Sequence, residues 1–174
     1  METSHHTYDE IQLQTEAWAQ AIEIARGLAL PQAAGYQQVI FTGCGSTYYL
    51  AQVAAALFQS LTGLPAQACP ASEIVLFTNQ VITEPAQTLM VAISRSGTTT
   101  ETLAAIAKFR QLGGRAVWAI TCYPQVALVQ EADLTLLAEA AQEQSLAQTR
   151  SFASMLILAQ ALAATIAGED TSVL

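Results

Sequence analysis

The residues best equipped for chemistry lie together in Ser94-Arg95-Ser96-Gly97-Thr98-Thr99-Thr100-Glu101-Thr102. An apolar run, Thr88-Leu89-Met90-Val91-Ala92-Ile93, precedes them and has the character of a strand buried on both faces. Leu103, Ala104, Ile106, Ala107 and Leu112 follow at helical spacing, so the sequence predicts a helix from Thr99 or Thr100. A turn of hydroxyls, one glycine and one arginine therefore joins a strand to a helix. First-turn amides have no partner inside their own helix and sit at the positive end of its dipole. Hydroxyls beside them add donors, and Gly97 permits a tight turn. Such a cup suits an oxyanion, most naturally a phosphate. The competing reading, that Ser and Thr serve here as N-caps and turn formers, accounts for one or two of them. Six hydroxyl residues in nine positions exceed what one cap requires.

A second turn, Gly43-Cys44-Gly45-Ser46-Thr47, follows the short strand pattern of residues 38–42. It begins like a dinucleotide fingerprint, but Tyr48 stands where a third Gly or Ala belongs, and Pro70-Ala71-Ser72 occupies the place of the ribose-binding acid. Two readings of the glycines stand: part of a ligand site, or a device that only turns the chain. The pair of turns is more informative than either alone. In an open parallel sheet, ligands lie beyond the carboxyl ends of the strands, where strand order reverses. Both hydroxyl-rich turns occupy carboxyl ends, so they can close on one small phosphorylated molecule from two sides.

The elements that position them alternate. An amphipathic helical pattern over residues 8–30, with Ile11, Ala17, Trp18, Ala21, Ile22, Ile24, Ala25 and Leu28, ends at Pro31-Gln32-Ala33-Ala34-Gly35. Strands are predicted at 38–42, 66–69, 88–93, 116–121 and 134–137. Helices are predicted at 48–61, in a short piece after Ser72-Glu73, from about residue 100 to Gly113-Gly114, at 127–130 and at 151–167, with a polar loop over 78–86. Strands and helices in this alternation give one α/β domain, a doubly wound parallel sheet covered on both faces.

At 174 residues the chain is long enough for one domain with a real core, and 52% hydrophobic with 11% charged residues describes a globular protein. A net charge of −8 with six Lys and Arg argues against a nucleic-acid surface, whereas a single phosphate can be held by amides and hydroxyls. Cys44, Cys69 and Cys122 are odd in number and lack a C-x-x-C pair, which points to neither disulfides nor a metal and to a reducing cytoplasm. No signal peptide is expected, and the apolar stretch 152–167, interrupted by Ser154, Gln160 and Thr165, reads as a buried helix, with no membrane partner. His5 and His6 are given no role.

The two turns, together with Glu143-Gln144-Ser145-Leu146-Ala147-Gln148-Thr149-Arg150-Ser151-Phe152 and the lead-in Tyr8-Asp9-Glu10-Ile11 with Gln14, resemble the sugar isomerase (SIS) domain family over nearly the whole chain. The likeness is to the first of two repeats in the isomerase half of glutamine–fructose-6-phosphate aminotransferase and to related ketose/aldose sugar-phosphate isomerases. The resemblance implies a three-layer αβα sandwich, flavodoxin-like, with a five-stranded parallel sheet: residues 1–35 a lead-in helix and 36–174 a single phosphosugar-binding domain. It implies a sugar-phosphate ligand of the fructose 6-phosphate or glucosamine 6-phosphate class and no cofactor. Ser94, Ser96 and Thr99, with Gly45, Ser46 and Thr47, are implied at the phosphate. Arg95 falls where the aminotransferases carry Gln; it either adds charge-assisted bonds to a phosphate or sugar hydroxyl or points to solvent.

The family's catalytic Glu, His and terminal Lys belong to the second repeat, whereas this chain resembles the first, with Lys108 its one lysine and no His beyond His6. The expectation is a half completed by a second SIS unit, or a homodimer or higher homo-oligomer with sites between subunits. Aldose–ketose isomerisation needs a base between C1 and C2. Glu143 is the best candidate; the alternative makes it a first-turn acid of the last helix or a solvated loop residue. Glu73 is a second candidate, better suited to capping its helix. Thr149 and Ser151 fit caps of the last helix, and Cys44 fits small packing. A phosphosugar-sensing module without turnover is the alternative function.

Overall fold

A computed structural model describes residues 6–30 and 35–171. The polar start with His5, and Pro31 to Ala34 of the expected turn, lie outside the described residues. The chain runs α1 (His6–Gln12), α2 (Gln14–Arg26), β1 (Gln38–Gly43), α3 (Ser46–Thr62), β2 (Ala66–Pro70), α4 (Ala71–Val81), β3 (Thr88–Ile93), α5 (Thr100–Gln111), β4 (Ala116–Thr121), α6 (Ala127–Glu131), β5 (Leu134–Leu137) and α7 (Arg150–Ala167). All neighbouring strands are parallel, in the order β2-β1-β3-β4-β5.

Strand alternation divides the core. Val39, Phe41, Leu89, Val91, Ile93, Trp118 and Ile120 face one side, where they pack with Leu50, Ala54 and Phe58 of α3 and Met155, Leu158 and Leu162 of α7. The intervening Ile40, Met90, Ala92, Val117 and Ala119 face the other, against Ile74 of α4, Ile106 and Phe109 of α5 and Leu128 of α6. Both faces are apolar because both are covered, which is why these strands read as continuous hydrophobic runs. The result is the three-layer αβα sandwich expected from the sequence.

Two expectations are corrected. The pattern over residues 8–30 is two helices, broken at Leu13, and the face that α2 buries carries Ala17, Ala21 and Ala25, while Ile11 and Ile24 are exposed. Helix α2 packs along α7, and small residues let the two axes approach. The segment after Ser72 is longer than expected: α4 continues into the supposed loop as far as Val81, with a non-helical Phe77 (φ −130°, ψ 34°). Its Thr78 hydroxyl turns back onto the Ile74 carbonyl, hiding a polar residue in the helix and making the segment look like a loop in sequence.

Candidate functional site

After β1 the chain crosses outward to β2; after β3 it crosses the opposite way to β4. The neighbours β1 and β3 therefore flank the topological switch point, and the Gly43–Thr47 and Ser94–Thr99 turns leave their carboxyl ends side by side.

In the first turn Gly45 stands at the N-cap of α3 with φ 60° and ψ −126°, a conformation that glycine adopts without strain. It has no side chain to cap the helix, and Gly45 and Ser46 are exposed. Thr47 is buried: its hydroxyl accepts the Cys44 N–H and donates to the Cys44 carbonyl, both at 3.0 Å. A Cβ on Gly43 would lie 2.7 Å from the Thr47 hydroxyl oxygen, so the absence of a side chain there lets the brace form. Cys44 is exposed, which corrects its reading as packing.

In the second turn Ser94 is buried, and its Oγ accepts the Gly97 N–H at 3.1 Å and lies 3.0 Å from Thr99 Oγ1. Ser96 Oγ accepts the Thr98 N–H and the Thr98 hydroxyl at 3.3 and 3.2 Å. Gly97 (φ +64°) sits so close to Val126 that a Cβ would come within 2.2 Å of Cγ2. Thr99 is the N-cap of α5 and is partly exposed, but its side chain makes no capping bond. Two helices of 17 and 12 residues thus start at one rim without a capping side chain at the N-cap. The positive ends of two dipoles converge there.

The N-terminus of α7 is different. Glu143, fully enclosed, accepts the Thr149 N–H at 2.7 Å, the Thr149 hydroxyl at 2.6 Å and the Ser151 N–H at 3.3 Å through Oε1. Its Oε2 accepts the Ser151 hydroxyl and faces Arg95 Nη1 at 3.5 Å. One anion is therefore already in place at α7: Glu143 itself caps this helix, a role the sequence reading gave to Thr149 and Ser151. Both carboxylate oxygens are engaged, an arrangement that suits a clasp.

Arg95 reaches toward the loop that precedes α7. Its Nη1 donates to the carbonyls of Ser145 (3.0 Å) and Leu146 (3.4 Å), across to the loop 142–149. The turn beneath it is fixed by the Thr121 hydroxyl and the Cys122 N–H, both donating to the Arg95 carbonyl at 3.2 Å. Glu73 is exposed in the first turn of α4, away from this network; its Oε2 lies 3.8 Å from the Cys69 thiol.

Sequence reasoning missed three contributors. Tyr123 donates its hydroxyl to the Glu143 carbonyl at 2.9 Å, and Arg150 Nε donates to the Gln142 carbonyl at 3.1 Å. Glu10, buried on α1, accepts the Gln144 N–H at 2.6 Å and the Ser145 N–H at 3.3 Å to each oxygen. Burial alone would raise the Glu10 carboxyl, but hydrogen bonds from Ser145 and the Gln144 and Ser145 amides, with the charge of Arg150, hold it below its usual 4.5. The acid pair Asp9-Glu10 in the lead-in helix was the signal available. Cys122, beneath the loop, is pushed up to about 12 by burial and by nearby Glu143, so its thiol stays neutral. Beside α1, a cleft of about 610 Å³ opens between His6, Tyr8 and Ile11 and the loop residues Gln144 and Leu146.

The family model described as SIS domain matches residues 34–165. The glutamine–fructose-6-phosphate aminotransferase (isomerizing) of Pseudomonas syringae pv. tomato is 38% identical over 121 residues, covering 70% of this chain and 19% of that protein. Among solved structures, the C-terminal domain of glucosamine-fructose-6-phosphate aminotransferase from Francisella tularensis superposes with a TM-score of 0.84 at 24% identity, over 96% of this chain and 48% of that one. Tagatose-6-phosphate ketose/aldose isomerase from Escherichia coli gives 0.81 at 24% identity, over 94% and 48%. The chain spans about a fifth of that curated relative and about half of each solved chain.

Proposed function

Because the chain belongs to the SIS domain family, we propose that it binds the phosphate of a sugar phosphate at the β1/β3 rim and serves as one unit of a sugar-phosphate aldose/ketose isomerase or an aminotransferase-like enzyme. The observation that carries this reading is the pair of helix N-termini that leave the neighbouring strands β1 and β3 at the switch point, each entered through a hydroxyl-rich glycine turn with no side-chain cap. A tetrahedral oxyanion supplies the missing acceptors to both helices at once. Gly45 allows the close approach; Ser46, Ser96 and Thr99 are the hydroxyls that meet the phosphate; Ser94 and Thr47 shape the two turns. Arg95 and Glu143 hold the loop 142–149.

Glu143 serves as the clasp of α7, and the base that moves the C1–C2 proton comes from another unit: a second copy of this chain or a second SIS unit. The two solved chains compared above, each about twice this length, support the second-unit form of that reading. The free cysteines support a reducing, cytoplasmic setting. Calorimetric titration with fructose 6-phosphate, glucosamine 6-phosphate, fructose and NAD tests the binding. Saturable binding of a sugar phosphate is expected, with no heat from fructose or NAD, and Thr99→Val weakens it about tenfold, the worth of one charge-assisted hydrogen bond. Equal binding of fructose, or of NAD, refutes the reading. Aldose–ketose turnover by the chain alone that vanishes in Glu143→Gln would return the base to Glu143.

A further inference from the structure

We propose that Glu10 and Arg95 are positioning residues that clamp the loop 142–149 beside the phosphosugar site, so that docking of the N-terminal helix sets the affinity for the sugar; this rests on the binding reading above. One stretch of backbone is gripped from two sides by opposite charges. The Glu10 carboxylate takes the N–H groups of Gln144 and Ser145, and the Arg95 guanidinium takes the carbonyls of Ser145 and Leu146. Ser145 is thereby held at both its polar backbone groups, by residues 135 positions before it and 50 before it.

The clamp orders what apolar packing cannot. Leu146, at the tip, is 95% exposed, and Gln144 and Ala147 are exposed beside it, so the tip buries almost nothing. Its shape comes from the charge-assisted bonds at its base. Arg95 belongs to the turn that meets the phosphate, and its own carbonyl is fixed to β4 by Thr121 and Cys122. Arg95 therefore ties the position of the loop to that turn. On the other side, α1 has seven residues, too few to persist as an isolated helix. It exists as a helix because it is docked, and Glu10 is its buried anchor. Undocking of α1 would take the Glu10 acceptors away from the Gln144 and Ser145 amides, so helix docking and loop order go together. Linkage then runs both ways: a ligand that favours the ordered loop favours the docked helix by the same factor.

The test uses Glu10→Gln, which keeps the shape and removes the charge, in titrations with fructose 6-phosphate and inorganic phosphate. The Kd for fructose 6-phosphate is expected to rise about tenfold, within the ordinary range of coupling between sites, while that for inorganic phosphate changes less than about twofold. Unchanged fructose 6-phosphate affinity in the variant overturns the proposal. A wild-type chain that takes neither ligand refutes instead the binding reading it rests on. Amide exchange in the wild type, which needs no variant to fold, supplies the second arm. Fructose 6-phosphate is expected to slow exchange at Gln144, Ser145 and the α1 amides together. Protection confined to the two hydroxyl-rich turns overturns the coupling.

Discussion

Replacing Glu143 by alanine removes a fully enclosed carboxylate and strands its donors: the Thr149 and Ser151 amides, both of their hydroxyls, and Arg95. The two amides belong to the start of α7, whose side chains Met155, Leu158 and Leu162 sit in the larger core. Breaking a buried charged pair costs about 3–5 kcal/mol, and each buried donor left without an acceptor about 1–3 kcal/mol, with the hydroxyls free to reorient. Some of these donors find water once the carboxylate is gone, so the net is about 4 kcal/mol, which for a chain of this size lowers Tm by about 12 °C. Glu143→Gln keeps one acceptor and sets an amide N–H₂ toward Arg95 or Ser151, for a loss of about half that. Urea unfolding followed by circular dichroism, with the slope held constant between variants, reads the difference directly. A loss below about 1 kcal/mol for the alanine variant would refute the assignment of Glu143 as the clasp of α7.

Three further outcomes are expected. The depressed Glu10 carboxyl contributes stability in full above its usual 4.5, and loses it as pH falls through the lower folded value. The stability difference between wild type and Glu10→Gln is therefore flat above about pH 5 and shrinks in more acid solution; a difference that grows as pH falls contradicts the sign. Exposed Cys44 reacts with a disulfide reagent in the native protein. Cys69 and Cys122, buried and raised to about 11 and about 12, react only on unfolding, so rapid native modification of all three contradicts their placement. Gly97→Ala puts a methyl into the Val126 side chain at a positive φ. It destabilises by about 2–4 kcal/mol, and Val126→Ala in the same chain recovers part of that; no recovery in a double-mutant cycle removes the steric explanation.

The parts of the fold legible in the sequence are those set by neighbours in the chain. The continuous runs 88–93 and 116–121 announced strands covered on both faces, and the hydroxyl-rich turns stand at the expected strand ends. Their convergence was legible too, because it follows from where strand order reverses. What stayed hidden depends on long-range partners. Glu10 meets Gln144 across 134 positions, and no local pattern records that. That Arg95 holds the loop stayed hidden because its acceptors there are backbone carbonyls, which carry no residue signature. Glu143 has the residue type of a base but the surroundings of a cap. In α2 the apolar stripe suggested burial of Ile24, whereas close packing on α7 selected the alanines.

The central claim is that one anion is shared by the helix starts after β1 and β3. A heteronuclear NMR titration with fructose 6-phosphate tests it most directly. The account predicts that the largest amide shifts fall on residues 45–47 and 96–100 together, saturating with one Kd. Largest shifts in the cleft beside α1, or at only one of the two turns, would contradict it.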